Sequence, residues 1–463
     1  MKKRMAGIAA LLLLATTVTA CGGGGANSSA SGESVSDTAA KTKIKVWTMN
    51  RADQEYMKEK IDAFNAENPD NIEIDYQIYA ENYTQSLDIA LATNEGPDVF
   101  FDGATAFNDN LPKGNLAPFN DYLTLEFKER FGEGAFVEGI NVVDGSIYSL
   151  PAISTTPRLF YNKDIFEKAG IAAPPKTLDE LVQTAKQITD KLKGEGIYGF
   201  AANLKNPAQA YSRSIDYILM RSGGAEAGFD FKAGKYDFGG YKPILEAYRE
   251  IFTSGAAFPG SESLDIDPLR TQFAAGKIGM YISWNHSEPG VYMNQFPTEQ
   301  NWDVAQLPTI DGTASGSQHL NLAGRWYFMN AHTEHPDEAW KVMEFLYSDE
   351  LLTGYHENGL GLVMVPSVLE KAQAPQTIQN WPELALTDKD KIWPALPTGV
   401  TPEGNDMYFV FNAIVLGALD VDKGIADLNE RYNAAYEKAV ADGKAKRIQY
   451  PDFDPANPGK VFE

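Results

Sequence analysis

Apolar positions recur along this chain in two registers. Strict alternation marks strands at Lys43-Ile44-Lys45-Val46-Trp47-Thr48 and Ile72-Glu73-Ile74-Asp75-Tyr76-Gln77-Ile78, because successive strand side chains face opposite sides. Pro97-Asp98-Val99-Phe100-Phe101 reads as a third, more deeply buried strand. Between them, Asp53 to Asn65 places Tyr56, Ile61 and Phe64 on one helical face, and Tyr83 to Thr93 forms a second helix. Strand, helix, strand, helix, strand predicts a parallel α/β sheet. Ligands of such sheets gather at the carboxyl ends of strands, here Trp47 to Met49 and Phe101-Asp102-Gly103.

The same patterning continues through the chain. Leu159-Phe160-Tyr161 is a buried strand, Asn162-Lys163 a turn, and a short helix ends at Gly170. After Pro174-Pro175, Thr177 caps a helix that runs from Leu178 to about Lys193. Asp144-Gly145 marks a tight turn, with a strand that Pro151 breaks. Tyr198 to Ala201 is a strand, Ile215 to Met220 begins a helix closed by Gly223-Gly224, and Tyr241 to Phe252 is another helix. Met280 to Ser283 leads into Trp284, and Leu320 to Gly324 leads into Arg325-Trp326. An acid-capped helix starts at Pro336 and a pair of helices closes the chain. Asp452-Phe453-Asp454 is expected to be a loose tail.

The first residues read differently. A basic Met1-Lys2-Lys3-Arg4, an apolar Ile8 to Leu14 and the box Val18-Thr19-Ala20-Cys21 form a lipoprotein signal peptide over 1–20. Similarity to lipoboxes implies that Cys21, the chain's only cysteine, is acylated and becomes the mature N-terminus. Residues 21–42 are small and polar, a lipidated flexible tether that would hold the domain about 25 Å from the membrane.

Composition narrows the function. The formal charge is -23, with 43% hydrophobic and 22% charged residues, and loss of Lys2, Lys3 and Arg4 makes the mature chain more acidic still. No Lys/Arg stripe accompanies this, which argues against nucleic acid and against electrostatic docking on anionic lipid. There is no phosphate loop, no G-x-S-x-G and no Cys/His cluster; His332 and His335 sit at a helix entry rather than as a metal pair. No cofactor or metal is expected. With 63 acidic residues a carboxylate pair at glycosidase spacing can always be found, so abundance alone does not indicate an enzyme.

The stretch LFYNKDIFEKAGIAAPPKTLDELVQTAKQI, together with ATNEGPDVFFDG, the run from Phe273 through Trp284, NWDVAQLP and GNDMYFVFNAIVLGAL, resembles the family 1 extracellular solute-binding proteins, the sugar-binding subunits of ABC importers related to maltose-binding protein. The resemblance implies an α/β, two-lobed periplasmic-binding-protein-like fold of type II. Two mixed, mostly parallel sheets would be flanked by helices, with an interlobe hinge of three crossovers, the first near Leu150 to Ile153. The lobes would comprise residues 43–150 with 322–370, and 153–318 with 371–463. It further implies capture of an oligosaccharide or monosaccharide by hinge closure and delivery to ABC permease subunits, by a monomer held to the outer face of the bacterial plasma membrane through its N-terminal lipid. The alternative is a lipid-anchored glycoside hydrolase or lyase.

By the same resemblance, Tyr161, Trp284, Trp326 and Tyr408 face the ligand. A sugar offers a C–H face and a hydroxyl rim, so flat aromatic surface is the chemistry needed, unless these rings serve as core. Asp102 accepts sugar hydroxyls or caps a turn, and Trp47 binds or packs. Arg158, Arg213 and Arg325 offer forks for a uronate or make salt bridges, and Tyr211 lies by a cleft loop.

Overall fold

The computed structural model describes residues 40–462, apart from 52, 80, 81, 102–106, 108, 133, 134 and 323–326. Cys21, Asp102, Arg325 and Trp326 therefore lie outside the described residues. Strands β1 (Thr42–Thr48), β2 (Ile72–Ile78) and β3 (Val99–Phe101) come first, followed by β4 (Ile153–Thr155) and β5 (Pro157–Asn162). After them come β6 (Tyr198–Phe200), β7 (Ile278–Trp284), β8 (Trp302–Ala305), β9 (Gln318–His319), β10 (Asn321–Leu322), β11 (Tyr327–Met329), β12 (Leu362–Val363) and β13 (Asp390–Lys391).

The first sheet has the order β11-β3-β1-β2. β1 is parallel to β2 and β3, while β11 returns antiparallel on β3. Its apolar core joins Ile44, Val46, Ile72, Ile74 and Val99 to Met343, Leu346 and Leu352 from the helices after β11. The second sheet has the order β8-β5-β7-β6. Its core joins Leu159, Leu181, Ile188 and Phe200 to Phe411 and Leu428 of the closing helices. Between the two lies a small antiparallel sheet, β10-β4-β12.

Both main sheets are mixed, and in the second antiparallel pairings outnumber parallel ones. Only β6 and β7 run parallel there, and β5 is antiparallel to both β7 and β8. The reason is the route of the chain: β5 follows β4 directly and runs away from the small sheet, so β7 must come back toward it.

The helix Leu178–Leu192 shows how local sequence supports this packing. Thr177 Oγ1 accepts from Glu180 N and the Glu180 carboxylate accepts from Thr177 N, a full capping box. Leu178, Leu181, Val182, Ala185, Ile188 and Leu192 are buried along one face, each large side chain contributing about 1.5–3 kcal/mol of burial. The helix lies so close to β6 that a Cβ on Gly199 would fall 2.1 Å from the Ala185 carbonyl oxygen.

The C-terminal segment is not the loose tail its polarity suggests. Phe453 packs on Phe231 at 5.0 Å and on Trp393 at 5.4 Å, Tyr450 N donates to Phe231 O, and Ser317 N donates to Pro455 O. Two aromatic contacts outweigh the local Asp content.

Gly199→Ala is expected to destabilise the protein by at least about 2 kcal/mol, since overpacked methyl groups cost ~1–3 kcal/mol even where the backbone can shift. Gly194→Ala, where a Cβ meets nothing within 4 Å, is the control and should leave the denaturant midpoint unchanged or raised. Equal midpoints for the two variants would refute the close approach.

Candidate functional site

The carboxyl end of β7 carries Trp284, one of the residues expected to face a ligand. Residues that follow Trp284 turn back onto the small sheet: the Asn285 carboxamide oxygen accepts from Thr156 N at 3.1 Å, and His286 Nδ1 lies 2.6 Å from Thr155 Oγ1. Burial pushes the His286 imidazole down to about 4, so it is neutral here near pH 7. Trp284 is half-buried at this junction, with its ring edge-on to Tyr217 at 5.8 Å. The antiparallel register pairs Trp284 with Pro157 and Met280 with Tyr161.

That register moves Tyr161 away from the site. It stands four residues down the strand pair, about 13 Å from the Trp284 end at ~3.3 Å per residue. There its ring packs on Phe166 at 4.9 Å, and burial together with the Asp303 carboxylate pushes its phenol up to about 12. An outward-running β5 puts the carboxyl end of that strand on the far side of the sheet, so the expectation for Tyr161 is corrected.

Arg158 is corrected for a different reason. Its side chain is 0% exposed and its donors are spent: Nε on Glu383 O, Nη1 on Pro157 O and Thr156 Oγ1, Nη2 on Ala385 O and on Asp390 Oδ2 at 3.2 Å. It is a lock inside the second lobe and not a fork for ligand. Arg213 is likewise buried and donates to Asn203 Oδ1. Tyr211 is buried as well, with its hydroxyl on Asn412.

Tyr408 begins the helix Met407–Val415 and is half-buried. Its hydroxyl donates to Asp216 Oδ2 at 2.6 Å, and Tyr241 donates to Oδ1 at 2.7 Å. Burial pushes the Asp216 carboxyl up to about 7, against the pull of these two donors. Trp47, near the carboxyl end of β1, is half-buried against Tyr79 at 4.4 Å. Its Nε1 is buried without a hydrogen-bond partner.

A cavity of about 810 Å³ opens outside the two main sheets, lined by loops, turns and the short strand β9. Asp109, Pro112, Gly139 and Ile140 line it from the first-sheet side. Glu226, His319, the run 393–401 and Lys444 line it from the other. Glu226 Oε1 and His319 Nδ1 meet at 2.8 Å. The volume is that of a small-molecule pocket. Two ion pairs also join the two sides: Arg51 with Asp267 at 3.0 Å, and Lys446 with Asp144 at 3.3 Å. Sequence reasoning did not single out Glu226 or His319 among the residues that line this cavity. The Gly223-Gly224 signal stood two residues from Glu226, but nothing in the linear pattern joins it to a histidine 93 positions away.

With this geometry in place, the relatives can be weighed. The family model for bacterial extracellular solute-binding proteins matches residues 50–351, more than half of the chain. A binding protein of Brucella abortus is 27% identical over 352 residues, covering 71% of this chain and 82% of its own length. The galactooligosaccharide-binding protein of Bacillus subtilis is 24% identical over 84% of this chain and 87% of its own. Among solved structures, the solute-binding protein RafE of Streptococcus pneumoniae, in complex with raffinose, aligns with 85% of this chain and 100% of its own at a TM-score of 0.65 and 17% identity. The fold is the two-lobed type II periplasmic-binding architecture, with the first and second sheets as the cores of its lobes. The chain belongs to the bacterial extracellular solute-binding protein family.

Proposed function

We propose that this protein is the substrate-binding component of an ABC importer, taking an oligosaccharide into the interlobe cleft, closing on it, and presenting it to permease subunits. The observation that carries this reading is the cavity of about 810 Å³ walled by both lobes. Similarity to a galactooligosaccharide-binding protein and to a raffinose-bound relative supports a saccharide as the ligand class. The lobes are taken as 43–150 with 322–370, and 153–318 with 371–463, consistent with the two separate apolar cores. Trp284, Tyr408 and Trp47, none of which lines that cavity, are the aromatic surfaces proposed for the sugar's C–H faces, joined by Trp326, Asp102 and Arg325 from outside the described residues. The protein acts as a monomer and binds without catalysis.

A hinge through β4, β10 and β12 concentrates bending where pairings are fewest, since each of these strands has two or three residues. Attachment is proposed through acylated Cys21 on the outer face of the plasma membrane. Among the described residues no helix is long and apolar enough to cross a bilayer.

The direct test is one screen of neutral and acidic oligosaccharides with three readouts. A true ligand should raise the melting temperature, because it binds only the folded chain, and should shrink the radius of gyration in small-angle scattering. Its chains should remain intact on prolonged incubation. An unchanged radius at saturation would sink hinge closure, and multiple-turnover cleavage would establish the hydrolase or lyase instead.

Trp284→Ala should weaken ligand affinity at least tenfold, about 1.4 kcal/mol, with little change in the unliganded melting temperature. Early unfolding with normal affinity in the folded fraction would make it a packing residue. Cys21→Ala should release the protein into the medium or leave the signal uncleaved, and unaltered membrane fractionation would count against the lipid anchor.

A further inference from the structure

Arg51 and Asp267 meet across the lobes, and what stands behind Asp267 sets this pair apart. Arg51 follows the carboxyl end of β1, and its Nη2 donates to Asp267 Oδ2 at 3.0 Å. Asp267 lies in the first turn of the helix Ile266–Ala274, and its Oδ1 accepts from Arg270 Nη1 at 3.1 Å. Arg270 in turn grips Glu288, with Nη2 on Oε1 at 2.6 Å and Nε on Oε2 at 3.1 Å. Glu288 also accepts from the hydroxyls of Ser283 at 2.6 Å and Tyr281 at 2.7 Å, both on β7. Burial raises the Glu288 carboxyl, but the Arg270 guanidinium and these donors outweigh it and hold the group below its ordinary range. Four charges of alternating sign therefore run from the inside of the second lobe to the surface of the first.

Exposure rises step by step along this row, from 0% at Glu288 through 11% at Arg270 and 31% at Asp267 to 44% at Arg51. An ordinary surface pair gains little because two long side chains must be ordered together. Here Asp267 is already held by Arg270, and Arg270 by a buried carboxylate, so Arg51 is the side chain left to order when the pair forms. The other ion pair between the two sides, Lys446 with Asp144, is 87% and 80% exposed at its two ends. Beside the Arg51 bridge the lobes face each other across a cavity of about 700 Å³, lined by Arg51, Gln54 and Glu59 on one side and by Asn294 and Gln295 on the other. The bridge thus stands at the edge of polar, solvated space and not within a packed apolar interface.

We propose that Arg51 and Asp267 form a latch that tilts the ligand-free protein toward the closed form: the pair is made as the lobes meet and broken as they part. The inference rests on hinge closure as proposed above. Arg51 and Asp267 are carried by opposite lobes, so opening about the small sheet β10-β4-β12 separates them. A ligand that binds only the closed form gains affinity in proportion to the closed fraction. The latch therefore strengthens every such ligand by the same factor, whereas direct contact with Arg51 would favour particular ligands.

The test is small-angle scattering on the full chain in a Cys21→Ala background, without ligand, fitted as a mixture of open and closed forms. Arg51→Ala and Asp267→Asn should each lower the closed-to-open ratio about threefold, within the range of a surface ion pair, and so enlarge the radius of gyration. The double variant should go no further than either alone. Asp267→Asn keeps an acceptor for Arg270, and Arg51→Lys, which keeps the charge, should retain part of the compaction. Salt at about 1 M, where the screening length falls to about 3 Å, should enlarge the parent protein by a similar amount and leave Arg51→Ala unmoved. Lys446→Ala, on the more exposed pair, should change the radius least. A radius that shrinks with saturating raffinose or maltotriose yet ignores both Arg51→Ala and Asp267→Asn overturns the latch and leaves hinge closure standing. A radius that ignores both sugars, salt and both substitutions overturns the latch together with the closure it rests on. Equal effects of Lys446→Ala and Arg51→Ala overturn the part assigned to Arg270 and Glu288.

Discussion

Asp390 and Arg158 meet at 3.2 Å with neither side chain exposed, and Thr156, Gln318 and Thr387 are all tied to that pair. Asp390 Oδ1 accepts from Thr156 Oγ1 and Gln318 Nε2, and Oδ2 accepts from Arg158 and from both the amide and the hydroxyl of Thr387. Burial alone would raise this carboxyl; the guanidinium and the surrounding donors hold it below the usual carboxylate range. Loss of one partner from such a pair costs about 3–5 kcal/mol, because the other charge is left buried and unmatched. The geometry matters beyond its energy. Gln318 pairs with Asp390, and His319 with Lys391, so the same lock helps set where His319 stands beside Glu226.

Much of the fold was legible in the chain because local patterns agree with the global arrangement. The period-two strands β1 and β2, the helix after Thr177 and the glycine stop at Gly170 all form where patterning and capping place them. What patterning could not reveal was direction. A strand reads the same whether it runs toward the small sheet or away from it, and Tyr161 lies at the end of β5 remote from that sheet. The C-terminal segment escaped for a related reason: Phe453 looks isolated in sequence and becomes core only because Phe231 and Trp393 are brought to it.

The site was legible to the extent that single residues announce themselves. Trp284 stands at the end of an apolar strand and Tyr408 in the first turn of a helix, the positions their local sequence predicts. Asp216, Glu226 and His319 carry no such signal. Each is an ordinary polar residue until a partner far along the chain arrives: Tyr408 for Asp216, His319 for Glu226. Arg158 shows the converse. An arginine just before a signature strand invites a binding role, but its neighbours in space supply backbone carbonyls and a carboxylate that occupy the guanidinium.

Energetics decide what can hold the proposed lobes together. Lys446 and Asp144 are both largely exposed, and Arg51 and Asp267 are partly so; pairs of this kind are worth about 0–1 kcal/mol and are screened by salt. Neither is strong enough to fix a closed state alone. The small sheet resists little, since β4 pairs with β10 and β12 over two positions each, both including Ser154. A ligand that contacts both cavity walls therefore has the larger influence: it shifts the equilibrium by its difference in affinity for the closed and open forms.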